Sequence, residues 1–293
     1  MKILLSILCC LLLFYSNAQV NYGNNWVFGD SVQLDFTSGS PINVSNHYFG
    51  RSVEATSAIS DSMGRLDLFI SSTDFQNNYC LNIYDSTMNI INNGDSIVCY
   101  TSCAQGAILL PGLNYFHAIT LYFQSMPTIE KGIAHSIIEK NNGTYNVVVK
   151  NKRILYNNHS EQIIAIRHGN GRDWWILGST TKGNIYELLL ANDSLYGPFL
   201  QSNAGQLCCG MGTMAASLNG DKIVAGFLEN TLLLFSFDRC SGNITSTDTL
   251  SYNIFGSIPL DGFYGTSFSP NGTKLYASTL DSLFQFEIGR AHV

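Results

Sequence analysis

Residues 266–278 read Thr-Ser-Phe-Ser-Pro-Asn-Gly-Thr-Lys-Leu-Tyr-Ala-Ser, with an apolar run on each side of an Asn-Gly pair. This pattern predicts a strand, a tight turn and a second strand. Asn-Gly is the strongest short-range hairpin signal, because both central residues of the favoured turns need positive φ and these two residues tolerate it best. The stretch is the clearest copy of a unit that recurs along the chain, and this recurrence decides the fold.

Four similar hairpins precede this one, each with a glycine in its turn. The five turn glycines are Gly64, Gly112, Gly171, Gly220 and Gly272, so the copies follow one another at similar intervals. A period of about 50 residues is typical of a propeller-type array. The repeat therefore favours one large all-β domain over two smaller ones.

Consecutive apolar pairs follow four of the turn glycines: Tyr115-Phe116, Trp174-Trp175, Ile223-Val224 and Leu275-Tyr276. A sheet with one solvated face would alternate, so these pairs indicate strands that are buried on both faces. Blades packed face to face around an axis bury their inner strands in this way. A third strand-like run follows each hairpin, and one outer strand would complete a four-stranded blade. A β-sandwich of unrelated hairpins is the alternative, but it would not predict the regular spacing.

The chain is 293 residues long, and only 12% of them are charged. The net charge is −6, so there is no basic surface of the kind that binds nucleic acid or acidic lipid. Two strand-like runs in residues 24–36 precede the first full repeat, and they are candidates for the strand contribution that closes a ring.

Residues 1–18 have the features of a secretory leader. Met1-Lys2 is followed by an almost wholly apolar run from Ile3 to Tyr15 and then by Ser16-Asn17-Ala18. A charged start, a short apolar core and a small-residue end are typical of such leaders, and we predict cleavage after Ala18. The run is shorter than the roughly 20 residues that span a bilayer. We therefore expect no membrane span in the mature chain.

Six cysteines remain after the predicted leader, an even number that permits disulfides in an exported protein. No Cys-x-x-Cys or paired-histidine spacing supports a metal site. The sequence suggests a local Cys99–Cys103 bridge and a bridge from Cys208 or Cys209 to Cys240, whereas Cys80 has no suggested partner.

Several stretches resemble known propellers. Residues 268–276 look like the inner hairpin of WD40-like propellers of the TolB type. Residues 167–175 (Arg-His-Gly-Asn-Gly-Arg-Asp-Trp-Trp) and 237–242 (Phe-Asp-Arg-Cys-Ser-Gly), together with residues 25–29 and 60–62, resemble secreted propellers of bacteria that use type IX secretion. The resemblance covers about residues 22–287. It implies a surface or extracellular location, but it supplies no biochemical role.

The end of the chain departs from that family. Such rings commonly have seven blades and often a C-terminal sorting module, whereas only five full repeats are visible here. We therefore expect residues 19–287 to form an all-β β-propeller of four-stranded antiparallel blades that is incomplete at its C-terminus, with about five of seven blades. Residues 288–293 can be encoded by a common DNA-library adapter, and we hypothesise that they are foreign. The last visible blade should then expose an apolar face bearing Leu275 or Tyr276.

No group of residues in the sequence indicates a particular reaction. His117, His135, His159 and His168 are the main candidates for catalysis or ligation, but each fits packing or turn capping better. The Ser-x-Asp-x-Gly box of sialidase-type propellers, a Gly-x-Ser-x-Gly elbow and a phosphate-cradling loop are absent from the sequence. We predict no catalytic residue, no metal and no cofactor. Carboxylates that would have to converge from different blades are Asp35, Glu54, Asp67, Asp173, Glu187, Glu229 and Asp281, and the sequence does not test their arrangement.

Two functions remain open. The first is a non-catalytic surface propeller that binds a glycan, peptide or protein. The second is a polysaccharide hydrolase or lyase, which should place two carboxylates or a His–carboxylate pair within about 10 Å at the channel mouth. A binder should show aromatic and amide groups there instead. For the binder, we predict ligand contacts on the turns opposite the Asn-Gly turns, where variation is freest; these turns carry Asp74, Phe75, Lys182, Glu229, Asn230 and Asp281.

Overall fold

The computed structural model describes residues 22–29, 31–44, 54–72, 80–124, 130–156, 159–180, 184–201, 211–228, 231–252 and 262–289. In these ranges the chain forms 22 strands in six antiparallel sheets, which confirms the predicted all-β propeller. Across the same ranges, no helix has the length and apolar character that a membrane crossing requires.

Each sheet takes up strands that are consecutive in sequence, and we call each sheet a blade. Blades 1 and 6 have three strands, and the other four blades have four. The strands are β1 (Asn25–Phe28), β2 (Val32–Asp35) and β3 (Ile42–Asn43) in blade 1; β4 (Ser57–Ser60), β5 (Leu66–Ser71), β6 (Cys80–Asp85) and β7 (Ile97–Val98) in blade 2; β8 (Ala107–Pro111), β9 (Tyr115–Gln124), β10 (Glu130–Asn141) and β11 (Thr144–Tyr156) in blade 3; β12 (His159–Arg167), β13 (Trp174–Thr180), β14 (Ile185–Ala191) and β15 (Ser194–Gln201) in blade 4; β16 (Met214–Ala216), β17 (Lys222–Phe227), β18 (Thr231–Phe237) and β19 (Ile244–Tyr252) in blade 5; and β20 (Gly265–Phe268), β21 (Lys274–Ser278) and β22 (Leu283–Glu287) in blade 6.

The blade count differs from the prediction of five visible blades out of seven, because the structure has six. Residues 24–36 do not add a closing strand to another blade. They form the β1–β2 hairpin of a blade of their own, whose turn includes Gly29 and Ser31, both with positive φ. Val27 of this blade is buried against Leu66 and Phe69 of blade 2. The hairpin was missed as a blade because its turn does not repeat the pattern of the other five.

The first strand of each blade contacts the first strand of the next, in the order β1, β4, β8, β12, β16 and β20. Residues in or next to β4, β8, β12 and β16 line a central channel. A cavity of about 480 Å³ lies there, with Thr56, Gln105, Ile108, Ala165 and Ala215 among its lining residues. Because blades 2 to 6 each start with their inner strand, the segments that enter these inner strands lie at one end of the channel. The hairpin turns that leave them lie at the other end. Blade 1 differs, since Asn25 at the start of β1 donates to Ser60 Oγ and to the Gly64 carbonyl, beside the hairpin turn of blade 2.

The hydrophobic core consists of layers between neighbouring blades. Ile223 packs with Trp175 of blade 4, whereas its sequence neighbour Val224 packs with Leu275 and Phe263 on the blade 6 side. Both Ile223 and Val224 are fully buried. This confirms the expectation for the Ile223–Val224 pair, whose strand has both faces covered, whereas Tyr115, Phe116 and Tyr276 are only partly buried.

The opening stretch forms the predicted hairpin, with Phe268 paired to Leu275 and Gly265 paired to Ser278. Its turn is longer than the two-residue type. Ser269 N–H donates to the Lys274 carbonyl over 2.9 Å, so four residues lie between the last paired positions. Only Gly272 has positive φ there, at 68°, because one left-handed residue suffices in a loop of this length.

Gly112 serves a different purpose from the other turn glycines. Its φ is not positive, and its turn is capped by Asp193 from blade 4, which accepts hydrogen bonds from Leu113 N at 2.8 Å and Asn114 N at 2.9 Å. A Cβ atom at Gly112 would lie 2.1 Å from Asp193 Oδ1 and 2.6 Å from His117 Nε2. Glycine is therefore required here by the close approach of the next blade.

The expected apolar face on the last blade is wrong for Leu275, which is fully buried against blade 5. Tyr276 is half-buried. Strand β22 alternates, so Phe284 turns toward the core, while the opposite face carries Leu283 with Gln285 and Glu287. That free face is largely polar.

We expect Gly112→Ala to destabilise the protein by about 1–3 kcal/mol, the usual cost of adding a methyl group to a closely packed position. Gly23→Ala is the matched control, because a Cβ atom there would meet nothing within 4 Å. Urea unfolding of the two variants measures the difference. Equal midpoints for G112A and G23A would contradict the close approach of Asp193 and His117.

Candidate functional site

The predicted ligand residues lie mostly outside the described part of the chain. This applies to Asp74, Phe75, Lys182, Glu229 and Asn230, so their role stays a prediction. Asp281 is exposed in the β21–β22 turn. It accepts hydrogen bonds from Thr279 Oγ1 at 3.1 Å and from Ser282 Oγ at 3.0 Å, and so orders its own turn.

A polar cluster lies at the same end of the ring, where the chain enters the inner strands. Glu54 precedes β4, Glu161 lies near the start of β12, and Tyr264 precedes β20. The Tyr264 hydroxyl donates to Glu54 Oε1 over 3.2 Å, although 210 residues separate the two. We call Glu54, Glu161 and Tyr264 the mouth cluster, since blades 2, 4 and 6 each contribute one member.

The charge of Glu54 acts on both of its partners in the mouth cluster. Burial raises the pKa of Glu161, and the negative charge of Glu54 raises it further. A hydrogen bond from the Ala104 backbone and the charge of Lys131 act in the opposite direction, but they do not cancel the rise. Burial and the charge of Glu54 also raise the pKa of Tyr264 to about 12. The cluster thus combines a carboxyl that holds its proton unusually well with a second carboxylate and a phenol.

Gln105 joins blade 3 to blade 5 at this mouth. Its Nε2 donates to the Met214 carbonyl and its Oε1 accepts from Met214 N, both over 2.8 Å. Its backbone N–H donates to the Glu161 carbonyl over 3.1 Å. The amide is therefore engaged by the protein, and it ties together the inner strands that support the mouth cluster. Below it the channel wall is mainly small and apolar, as at Ala107 and Ala165.

Sequence inspection missed this cluster because its members are far apart in the chain. In the sequence Glu54 is one of seven candidate carboxylates, and no motif marks Glu161 or Tyr264. A signal was present, since all three lie shortly before a predicted inner strand. Aligning the repeats at that point would have placed them at one end of the ring.

The histidines pack between blades or cap turns, as interpreted from the sequence. His117 Nδ1 lies 2.9 Å from His135 Nε2, and His117 Nε2 lies 3.2 Å from Asp193 Oδ1. Burial lowers the pKa of His117 and lowers that of His135 to about 3, so the pair is neutral at pH 7. His159 is buried beside the Tyr122 and Ser160 carbonyls, and His168 caps its turn by accepting from Asn170 N at 3.0 Å.

Residues 167–175 and 237–242, which resemble motifs of secreted propellers, contact each other at the boundary between blades 4 and 5. Trp175 Nε1 and Gly169 N both donate to the Arg239 carbonyl, over 2.8 and 2.9 Å. A Cβ atom at Gly169 would lie 2.5 Å from Cys240 Sγ. These residues therefore connect blades 4 and 5, and the two motifs reflect the packing between these blades.

The described cysteines are free thiols, and the suggested Cys99–Cys103 bridge is not formed. Both of these side chains are buried, and burial raises the pKa of each thiol. Cys240 is exposed, while Cys208 and Cys209 lie outside the described residues. In the part of the chain that the structure describes, no three His, Cys, Asp or Glu side chains group to hold a metal.

Comparison with known proteins shows the fold alone. No protein-family model and no curated protein matches the chain. Among solved structures, the Pseudomonas aeruginosa periplasmic gluconolactonase PpgL is similar at 11% identity and a TM-score of 0.50, over 91% of this chain and 77% of that one. The Myceliophteria thermophila Cps50 (Swd1) β-propeller domain is similar at 13% identity and a TM-score of 0.48, over 92% and 84%. At 11% identity the similarity to PpgL supports the β-propeller fold alone and carries no activity across.

One buried carboxylate lies away from the mouth. Glu187 of β14 is 5% exposed, and its Oε2 has no hydrogen-bond partner within the described structure. It lies against Gly242 of blade 5, where an added Cβ atom would be 2.8 Å from Oε2. Burial raises the pKa of Glu187 to about 7. Glu187 is therefore a buried acid at the boundary between blades 4 and 5, and its ionised form is destabilising there.

We expect Glu187→Gln to stabilise the protein at pH 8.5 but not at pH 5. The pKa of Glu187 rises from the usual 4.5 to about 7 on folding. Its favourable contribution to the free energy of unfolding is therefore fully present below pH 4.5 and is lost as the pH rises through 7. The gain at pH 8.5 should be about 1–3 kcal/mol. Urea unfolding at both pH values measures it, with the exposed Glu287→Gln as control. A gain that does not change with pH would contradict the buried, proton-binding carboxyl.

Proposed function

We propose that this protein is a secreted or cell-surface β-propeller that acts as a non-catalytic binding module and holds its ligand at the channel mouth. The observation that carries the proposal is the convergence of Glu54, Glu161 and Tyr264 from three blades. Polar groups that converge on a concave surface from separate elements are the usual form of a ligand site. The apolar wall below Gln105 offers little to a polar ligand, which therefore rests at the mouth.

The chemistry of the mouth favours a basic peptide segment among the glycan, peptide and protein ligands that a propeller could take. Carboxylates form their strongest hydrogen bonds with lysine and arginine side chains, because both partners are charged. The net charge of −6 adds a long-range attraction for basic partners. Lys131 offsets part of the local negative charge, but the two glutamates leave an excess.

The proposed location rests on the leader-like residues 1–18 and on the resemblance to secreted propellers. We expect the chain to be cleaved after Ala18 when it is expressed with its own leader in a Gram-negative host. Mass spectrometry of the exported protein should then find Gln19 at the N-terminus. A cytoplasmic product that retains Met1 would contradict export.

The mouth cluster also favours a second candidate, a polysaccharide hydrolase or lyase. A carboxyl with a raised pKa near a second carboxylate is the arrangement that supplies a general acid and its partner. Glu161 would hold the proton and Glu54 would be the second carboxylate. The two candidates share one site and differ in whether a bond is broken.

We expect Glu54→Gln and Glu161→Gln each to weaken binding of a lysine- and arginine-rich peptide at least tenfold, because a bound cation favours the ionised carboxylate and glutamine cannot supply that charge. Binding of fluorescent oligolysine and oligoarginine peptides, followed by anisotropy at low and high salt, measures this. Glu139→Gln is the matched control, since it makes the same charge change on β10, away from the mouth cluster.

Several outcomes would decide between the candidates. Unchanged affinity in both mouth variants, or an equal loss in E139Q, would count against a mouth site. Release of reducing ends from a polysaccharide panel by the wild-type protein, abolished in E161Q, would replace the binding module with the hydrolase.

A further inference from the structure

A second cavity opens at the opposite end of the ring, between the hairpin turns of blades 2 and 3. Its volume is about 430 Å³, within the range of small-molecule sites. We call it the turn groove. The residues of its wall that matter here are Tyr22, Asp61, Ser62, Asp67, Asn114 and Tyr115.

Both carboxylates of the turn groove are already paired with groups of the protein. Asp61 Oδ2 accepts from Arg65 Nε at 2.9 Å and from Arg65 Nη2 at 2.8 Å. Asp67 Oδ1 accepts from Lys140 Nζ at 3.1 Å and from the Tyr145 hydroxyl. Each negative charge thus has a cation beside it. The groove therefore offers no net charge that would select an ionic ligand.

Hydrogen-bonding capacity remains in both directions. A carboxylate has about four lone-pair sites. Asp61 uses its sites within its own turn, where Met63 N and three nitrogens of Arg65 donate to it, whereas Asp67 accepts only from Lys140 and Tyr145 and can accept a further bond. Ser62 and the tyrosine hydroxyls can donate as well as accept. Asp61 and Asp67 are fixed in place by their pairing. Asn114 is fixed too, because Asp193 accepts from its backbone N–H and its side-chain amide. Fixed polar groups of both kinds suit a ligand whose own groups both donate and accept.

Aromatic side chains form the rest of the wall. Tyr22, Tyr115 and Phe116 line the groove, and Tyr22 and Tyr115 are only partly buried. Aromatic rings bind flat apolar surfaces over a large area at little entropic cost. Hydroxyl groups around the edge and apolar C–H faces are the two features that a sugar ring combines. The polar groups of the groove can hydrogen-bond to the hydroxyl groups of a sugar, and its aromatic rings can pack against the C–H faces.

We propose that the turn groove is a binding site for uncharged carbohydrate, separate from the mouth cluster. The proposal rests on the cavity between the two turns, on the pairing of its charged groups within the protein and on the three aromatic residues that line it. It does not depend on the mouth site, which lies at the other end of the ring.

The test fills the groove without removing a native contact. Ser62 is exposed, so Ser62→Trp adds bulk at the groove without entering the core. Leu218→Trp is the matched control, because Leu218 is 74% exposed and follows Ser217 in the blade 5 turn just as Ser62 follows Asp61 in the blade 2 turn. A second variant, Tyr115→Ala, is matched by Tyr276→Ala on the corresponding strand of blade 6.

The probes are neutral disaccharides of hexoses, pentoses and N-acetylhexosamines, namely maltose, cellobiose, xylobiose and chitobiose, with digalacturonate as the anionic comparison. Calorimetry and saturation-transfer NMR measure the binding. We expect at least one neutral disaccharide to bind the wild type and L218W equally, and to bind S62W at least tenfold more weakly at an unchanged melting temperature. Y115A should lose affinity and Y276A should not.

Three results would overturn the proposal: no saturable binding of any neutral disaccharide, equal affinity in S62W and L218W, or binding of digalacturonate alone. The double variant Glu54→Gln/Glu161→Gln should bind the neutral sugar as the wild type does. Loss of sugar binding in that variant would place the sugar at the mouth and also overturn the groove. Failure of peptide binding at the mouth would leave these outcomes unaffected.

Discussion

The whole structure depends on burying both faces of the middle strands. Ile223 and Val224 are neighbours in sequence, yet one packs toward blade 4 and the other toward blade 6. A strand of this kind has no solvated face on which to display polar side chains. The boundaries between blades are therefore occupied by packing, and even their polar groups, such as His117 with His135 and Asp193, serve to join blades. Ligand contacts are left to the two ends of the ring, where the mouth cluster and the turn groove lie.

Local signals in the sequence were enough to predict most of the fold. The turn glycines, the apolar pairs and their regular recurrence report interactions within a blade or between adjacent blades, and the structure confirms them. Blade 1 was not recognised, because its hairpin turns through Gly29 and Ser31 and lacks the repeated turn. The exposed face expected at Leu275 was wrong because position 275 points toward blade 5, which the repeat alone does not specify.

The sites could not be predicted in the same way. Glu54, Glu161 and Tyr264 meet only because the ring returns to the same axis, and nothing in their immediate neighbours marks them. The turn groove likewise needs the turns of two successive repeats, which are distant in the chain, to become adjacent. By contrast, residues 167–175 and 237–242 looked most distinctive as sequence, and they turned out to secure the boundary between two blades. In a repeated fold, distinctive sequence motifs can serve packing between repeats. Candidate sites can instead form from residues that no motif marks and that only the fold brings together.

The cap that Asp193 places on the turn of blade 3 sets an order on the assembly of the ring. The backbone groups of Leu113 and Asn114 find their acceptor 80 and 79 residues further along the chain. While the polypeptide emerges from the ribosome, the turn of blade 3 lacks these two hydrogen bonds until the last hairpin of blade 4 has followed. The turn of blade 3 is thus completed by blade 4, as in arrays whose units are stabilised by their neighbours. An interruption in synthesis after blade 3 would leave the backbone N–H groups of Leu113 and Asn114 without this acceptor.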